Sequence, residues 1–192
     1  MAKVYLVYGP RGAGKTRTTV RLGEAVAKLG FGVGGFYQRV VHDELDRRGY
    51  DLVSMHDSSR TVPIARPGGV RMDGEEQAGL NAVCSFSFSE AALAEGRGWL
   101  ESDALVDRVL VLDEISKLEV RGFGHSEALR WALGLGDDVV LLLSVRGDQL
   151  YYVVEEFGLE ELVLGYLEIP VGEEEFLGGV REIVAWLGGD TR

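Results

Sequence analysis

One stretch limits what this chain can fold into more than any other: an apolar run that ends in a glycine-rich loop and continues as a helix. The apolar run occupies residues 3–8, and the loop that follows it, residues 9–16, reads Gly-Pro-Arg-Gly-Ala-Gly-Lys-Thr. Gly30 then offers a left-handed position at which a helix commonly ends. Before Gly30, apolar residues occur at the spacing of one buried helix face: Leu22, Ala25, Val26 and Leu29. The pattern predicts a strand, a tight turn and a helix.

The loop matches G-x-x-x-x-G-K-[ST], which this composition would produce by chance roughly 0.006 times per chain. Glycines allow backbone N–H groups to wrap a bulky polyanion, and the helix that follows adds its positive end. Lys15 would reach the β- and γ-phosphates, and the Thr16 hydroxyl would hold Mg²⁺. We therefore predict a nucleoside-triphosphate site whose nucleotide-binding residues are Gly9, Pro10, Arg11, Gly12, Ala13, Gly14, Lys15, Thr16 and Arg17.

Length and composition predict one globular domain over residues 1–192. The chain is 46% hydrophobic and 27% charged, which is enough apolar material for a sizeable core. The one cysteine, Cys84, excludes an internal disulfide, suits a reducing compartment and is interpreted as a packed thiol. Because no leader segment and no stretch long enough to span a bilayer are evident, we expect a cytoplasmic protein that does not bind membranes.

The net charge of −11 argues against a large nucleic-acid surface, because such surfaces depend on clustered cations. Nucleoside triphosphates are the expected partners, and the sequence gives no indication of a protein partner.

The middle of the chain predicts a β-meander. Strands are predicted at 34–41, 50–55 and 61–65, joined by the short polar links 42–49 and 56–60. Neither link can hold a helix, so these strands should run antiparallel and extend one edge of the main sheet. Residues 66–80, which contain Pro-Gly-Gly and no period, are interpreted as a loop.

The second half alternates strands with helices, which predicts an α/β fold with a mostly parallel sheet and helices on both faces. A capping box at Ser87 and Glu90 predicts a helix start there, and Asp148 is the predicted N-cap of a later helix. The predicted strands are 109–112, 139–144 and 162–164, and the other predicted helices are 126–133 and 173–187.

Ligands of parallel sheets bind at the carboxyl ends of the strands, so the loop at 9–16, Asp113-Glu114 and 144–146 should converge. Asp113 closes an apolar strand, where P-loop enzymes place a carboxylate in the magnesium shell. Glu114 could orient and deprotonate an attacking water, which is general-base work that suits hydrolysis. The metal ligands are therefore predicted to be Thr16 and Asp113, and the base to be Glu114.

Ser144 and Arg146 flank the end of another core strand, where a polar or cationic group could contact the γ-phosphate. Arg146 joins Lys15 and Glu114 as a predicted catalytic residue, although a plain surface arginine is a competing interpretation. No metal-ligand spacing links His42, His56 and His125, so we interpret them as surface residues.

Four segments, in this order and at these spacings, resemble the small P-loop nucleoside-triphosphatase family known from thermophiles, which includes the cancer-related nucleoside-triphosphatase. They are residues 9–16, Gly35–Gln38, Arg47–Val53 and Val111–Glu119. The resemblance implies a RecA-like P-loop fold, Mg²⁺-dependent hydrolysis of several nucleoside triphosphates to diphosphate and phosphate, and relatedness to nucleotide kinases. It also implies that Lys15 and Thr16 bind phosphate and Mg²⁺, that Asp113 supports the metal and that Glu114 is the base.

The chain departs from the family pattern at two places. Ser116 stands where glycine is expected, and Gln38-Arg39 replace a Thr-Glu pair. These departures bear on substrate preference more than on nucleotide binding.

Two other functions remain open at this stage. A nucleoside or nucleotide kinase on the same scaffold needs an acceptor pocket and usually an arginine-rich lid, of which Arg66–Arg71 would be a rudimentary form. A nucleotide-dependent switch is the second alternative, although the guanine-reading segment N-K-x-D occurs nowhere.

Overall fold

The computed structural model describes residues 1–42, 44–46, 48–67 and 86–188. Within them, eight strands form one sheet: β1 Lys3–Gly9, β2 Val33–His42, β3 Arg48–Ser54, β4 Thr61–Pro67, β5 Phe86–Phe88, β6 Val109–Ile115, β7 Val140–Arg146 and β8 Val163–Glu168. The helices are α1 Lys15–Ala27, α2 Glu90–Asp103, α3 Lys117–Val120, α4 Ser126–Leu133, α5 Leu150–Phe157 and α6 Glu173–Gly188. The predicted loop at 66–80, apart from its first two residues, and Cys84 lie outside the described residues.

The strand order is β5-β4-β3-β2-β6-β7-β1-β8. The five strands from β2 to β8 in that order pair in parallel, whereas β3, β4 and β5 are antiparallel and extend the β2 edge. Connections of a dozen or more residues, most of them helical, make the parallel pairing possible. The predicted mostly parallel sheet with an added meander is confirmed.

Two apolar clusters cover the two faces of the sheet, because side chains along a strand alternate between faces. On β1, Tyr5 and Val7 pack against α1 and α6, while Val4 and Leu6 belong to the cluster that α2, α4 and α5 cover. Helices therefore lie on both faces, as predicted.

Several local predictions were wrong. Ser87 lies in β5, and the cap of α2 is Ser89, whose hydroxyl accepts a hydrogen bond from the N–H of Ala92 at 3.1 Å. Asp148 lies in a short 3₁₀ turn before α5 and does not cap that helix, because its carboxylate binds Arg146. Leu29 is 59% exposed, since α1 ends two residues before it. The sequence patterns also missed β5 and α3, which are three and four residues long.

Among the described residues, each helix is too short or too polar to cross a membrane.

Candidate active site

The loop between β1 and α1 has the backbone that its glycines predict. Gly12 and Gly14 have φ angles of 78° and 96°, in the left-handed region that other residues rarely adopt. Gly14 is also the N-cap of α1 and has no side chain with which to satisfy the first N–H groups of the helix. A helix start without a side-chain cap, preceded by such a loop, has the free N–H groups that an anion could accept.

Lys15 is the first residue of α1, and only 5% of it is exposed. Its ammonium group donates a hydrogen bond of 3.1 Å to the carbonyl oxygen of Pro10 in the same loop. The cation is thus held over the loop in which a phosphate chain would lie.

Asp113 lies at the end of β6 and is fully buried. One carboxylate oxygen accepts hydrogen bonds from the Thr16 hydroxyl at 2.8 Å and from the N–H of Gln38 at 3.0 Å, and the other accepts one from the Ser144 hydroxyl. Burial raises the pKa of Asp113 above its ordinary value, although these hydrogen bonds act in the opposite direction. All three partners are neutral, so the carboxylate would gain most from a nearby cation.

Glu114 occupies a β-bulge. Leu112 pairs with Leu143 and Ile115 pairs with Val145, so β6 carries one residue more than β7 over this step. Glu114 absorbs the irregularity with a φ angle of 64°, and its N–H donates to the Ser144 hydroxyl oxygen at 2.9 Å.

The Glu114 carboxylate lies in a mixed electrostatic environment. Burial, and then the neighbouring Asp113, raise its pKa, whereas Lys15, Arg146 and Arg48 lower it. A carboxylate whose pKa is raised toward neutrality is a better proton acceptor than a fully solvated one.

A cleft of about 660 Å³ opens above the loop. Loop residues, Glu114 and side chains of α1, β2 and β3 line it, among them Arg17, Arg21, Tyr37, Arg39 and Arg48. A second cavity of about 180 Å³ lies beside it, with Glu114, Lys117 and Arg146 in its lining. Glu114 therefore faces both spaces.

Comparison with known proteins shows to which family this chain belongs. The family model described as NTPase matches residues 4–162. The chain belongs to the NTPase family. The predicted resemblance to the small P-loop nucleoside-triphosphatases is thereby confirmed.

Individual relatives agree with this NTPase assignment. The mouse cancer-related nucleoside-triphosphatase homologue is 31% identical over 159 residues, which are 81% of this chain and 83% of the relative. The solution structure of a human cancer-related nucleoside triphosphatase has a TM-score of 0.67 at 24% identity, with all of both chains covered. The crystal structure of THEP1 from the hyperthermophile Aquifex aeolicus has a TM-score of 0.60 at 18% identity and covers 96% of this chain and 98% of that one. These two structures support the P-loop fold.

In this NTPase the fold brings together most of the predicted site residues. Gly9 pairs with Arg146 in the register of β1 and β7, and the hydrogen bonds of Asp113 join the loop to both of the other strand ends. Arg146 lines the smaller cavity, where its guanidinium forms an ion pair of 2.5 Å with Asp148. Ser144 is fully buried between Asp113 and Glu114, so its predicted contact with the γ-phosphate is wrong.

Sequence reasoning missed one feature of this NTPase site and gave another the wrong partners. Gln38 contributes its backbone N–H, which leaves no mark on residue type, whereas Ser144 was predicted at the end of a core strand but binds Asp113 and the N–H of Glu114. It also misplaced a histidine. His125 is 2% exposed and stacks on the buried ring of Phe36 at 4.5 Å, whereas His42 is exposed as predicted.

Proposed function

We propose that this NTPase hydrolyses the bond between the β- and γ-phosphates of nucleoside triphosphates, ATP and GTP among them, with Mg²⁺. The observation that carries the proposal is the hydrogen bond of 2.8 Å from Thr16 to Asp113, formed at the edge of a cleft into which Glu114 also faces. A hydroxyl and a buried carboxylate preassembled beside a phosphate loop and a candidate base form the constellation of a phosphohydrolase.

The donor set suits Mg²⁺. Thr16 and Asp113 offer only oxygen atoms, the ligands that this hard cation prefers. The Asp113 carboxylate is completely buried among neutral hydrogen-bond donors, so it would gain a positive partner when an ion arrives with the nucleotide. Thr16 and Asp113 would hold the ion, and when bound Mg²⁺ would offset the negative charge that develops on the phosphate.

The chain's own groups would position the phosphates. The N–H groups of the loop and the start of α1 face the β-phosphate, and Lys15 moves its ammonium from the Pro10 carbonyl to phosphate oxygens. The exchange replaces a neutral carbonyl acceptor by anionic oxygens, which attract the ammonium group more strongly.

Glu114 would accept the proton of the attacking water. The water oxygen forms a bond to the γ-phosphorus, the bond from that phosphorus to the bridging oxygen breaks, and the electron pair leaves with the nucleoside diphosphate. Ser144 fixes the backbone of Glu114 through the N–H at 2.9 Å, so the base is oriented by a group that does not itself touch substrate.

The lining of the cleft favours broad base specificity. Outside the loop, its described polar lining includes four long arginines, Arg17, Arg21, Arg39 and Arg48, together with Glu24, Gln38, Glu114 and two tyrosines. Arginine stacks on any base and binds any phosphate, whereas base discrimination requires fixed donors and acceptors at base edges. ATP and GTP should therefore turn over at comparable rates.

A kinase is the second candidate, because Glu114 also faces the smaller cavity, where an acceptor hydroxyl could replace water. At about 180 Å³ this cavity is smaller than the roughly 300 Å³ at which small-molecule pockets begin. The volume of this cavity therefore favours water over a nucleoside as the acceptor.

Phosphate release from ATP, GTP, CTP and UTP, measured with Mg²⁺ for the wild type and for Glu114→Gln, tests the proposal. We expect acceptor-independent release that Glu114→Gln lowers by about 100-fold or more, the usual scale for a lost general base, with nucleotide affinity retained. The same panel with added nucleosides and nucleoside monophosphates separates the two candidates. Release that depends on one acceptor, with that acceptor becoming phosphorylated, would establish the kinase instead.

A further inference from the structure

A second cluster of metal-ligating side chains lies at the other end of the sheet from the phosphate loop. It consists of His56 in the turn between β3 and β4, Asp103 at the end of α2 and Asp107 just before β6, and we call it the His-Asp-Asp cluster. One ligand atom of each residue lies within 4.8 Å of the others. Since Asp107 precedes β6 and Glu114 lies near the end of that strand, the cluster is separate from the nucleotide cleft.

The two carboxylates of the cluster are buried and close to the same imidazole nitrogen. The side chains of Asp103 and Asp107 are 8% and 5% exposed, and His56 Nε2 lies 3.7 Å from one and 2.5 Å from the other. Burial raises the pKa of Asp103, and the charge of Asp107 adds to this effect. A protonated imidazole neutralises one of two negative charges, and Arg60 acts on Asp103 from its position over the Trp99 ring.

Neighbouring backbone holds the carboxylates in place. The N–H of Gly35 donates to Asp103 Oδ2 at 2.8 Å, which leaves Oδ1 on the side of His56. A Cβ atom at Gly34 would lie 2.6 Å from Asp107 Oδ2, and one at Gly32 would lie 2.4 Å from Asp107 Oδ1. The carboxylates thus occupy space that exists because two residues of this segment lack side chains. Such outer support is what orients the ligands of metal sites.

We propose that the His-Asp-Asp cluster binds a divalent transition-metal ion of the Zn²⁺, Co²⁺ or Mn²⁺ type. One imidazole nitrogen and two carboxylate oxygens suit these borderline ions, whereas Mg²⁺ prefers oxygen ligands alone. His56 is half-exposed, which leaves one side open for a water ligand. The ion supplies two positive charges opposite the two buried carboxylates.

Metal binding displaces the hydrogen bond between His56 and Asp107. Ligand atoms about 2.1 Å from a tetrahedral ion lie roughly 3.4 Å apart, so Nε2 and Oδ2 must separate by about 1 Å from their present 2.5 Å. His56 is able to make this shift because it lies in an exposed turn, and the shared proton is released. The bound ion then ties the β3–β4 turn to α2 and β6.

A Co²⁺ titration followed by its visible ligand-field absorption tests the site, with His56→Ala as the variant and His42→Ala as the matched control. His42 is the other exposed histidine, at the end of β2. We expect one Co²⁺ to bind the wild type and His42→Ala with the same spectrum, and the affinity of His56→Ala to fall by more than about tenfold with loss of that spectrum. Zn²⁺ should raise the melting temperature of the first two proteins and not of the third.

Circular dichroism checks whether His56→Ala is folded, and Asp107→Asn provides a second variant that must also lose the spectrum. An absence of Co²⁺ binding by the wild type would overturn the proposal. An identical spectrum and affinity in His56→Ala would overturn it as well, since the ion would then lie in the nucleotide cleft or elsewhere.

Discussion

The hydroxyl of Thr16 donates a hydrogen bond of 2.8 Å to the carboxylate of Asp113, which lies 97 residues further along the chain. The first turn of α1 and the end of β6 are thereby joined across the sheet edge. The two proposed metal ligands are thus held beside each other by a direct hydrogen bond.

Thr16→Ala tests this pairing, with Thr16→Ser as the control that keeps the hydroxyl. We expect Thr16→Ala to raise the Mg²⁺ concentration needed for half-maximal phosphate release by at least about tenfold. The reason is that the lost hydroxyl is both a proposed metal ligand and the hydrogen-bond donor to Asp113. Thr16→Ser should stay close to the wild type. Equal Mg²⁺ dependence in all three proteins would remove Thr16 from the metal site.

Ser144→Ala should lower turnover although Ser144 touches no substrate. Its hydroxyl donates to Asp113 and accepts from the N–H of Glu114, so both acids lose their common support. We expect a loss of about 10- to 100-fold in kcat, as for other groups that orient a metal ligand.

Ser54→Ala is the matched control, because Ser54 is equally buried and its hydroxyl also accepts from a backbone N–H, away from the cleft. Steady-state kinetics across a Mg²⁺ series provides the measurement. A similar loss in Ser54→Ala would indicate a general effect on folding and would count against the positioning role.

Glu114→Gly should lower activity without lowering stability. Glycine relieves the positive φ of 64°, and this gain of about 1–2 kcal/mol exceeds or balances the entropy of roughly 0.5–1 kcal/mol that glycine adds to the unfolded chain. We therefore expect the free energy of unfolding to stay the same or rise slightly, while phosphate release falls by about 100-fold or more. Urea unfolding and a phosphate assay on one preparation provide both readouts. Strong destabilisation by Glu114→Gly would contradict the strain argument.

Arg146→Ala should lower kcat more than nucleotide affinity if this guanidinium meets the transferring phosphoryl group. Arg146 lines the smaller cavity beside Glu114 and is held there by Asp148. The matched control is Arg130→Ala, which breaks an exposed ion pair of the same length, 2.5 Å, with Glu156. Equal losses in kcat and affinity would indicate ground-state binding, and no loss would make Arg146 a surface arginine.

His125 should make the fold sensitive to mild acid. Burial lowers its pKa to about 4, and among the described residues neither ring nitrogen has a hydrogen-bond partner. Between pH 6.5 and 4 the unfolded chain takes up a proton on this histidine and the folded protein does not, so stability falls as the pH falls. At pH 5 this loss amounts to about 2 kcal/mol.

His125→Phe removes the titrating group and keeps an aromatic ring against Phe36. We expect the difference in unfolding free energy between pH 7.5 and pH 5 to shrink by about 2 kcal/mol relative to the wild type, whereas His42→Phe should leave it unchanged. Burial raises the pKa of Glu119 to about 7, so the stability that this residue contributes is lost as the pH rises through that value. Glu119 is present in every protein compared, so its contribution cancels in the difference. An unchanged acid response in His125→Phe would contradict the prediction.

The sequence predicted the parts of the site that depend on residue type and strand order. The residue types of Gly9–Thr16 suit few functions other than phosphate binding. Asp113 follows the buried part of a strand, and parallel topology places the end of that strand beside the loop. Burial of His125 was not predictable, because a histidine between two short helices carries no periodic signal and its partner, Phe36, lies in another element. The cap of α2 was misplaced by two residues because both Ser87 and Ser89 fit a cap, and only pairing with β4 decides between them.

The bulge in β6 has a further consequence. Leu112 and Ile115 are three residues apart, yet both belong to the same apolar cluster, although alternation along a regular strand would place them on opposite faces. Removing one of the two residues between them would leave Leu112 and Ile115 two residues apart, so regular pairing would keep both side chains on the same face of the sheet. The bulge therefore accommodates a second adjacent acid without changing which side chains β6 buries, so a deletion there would remove an acid from the site and leave the core packing in place.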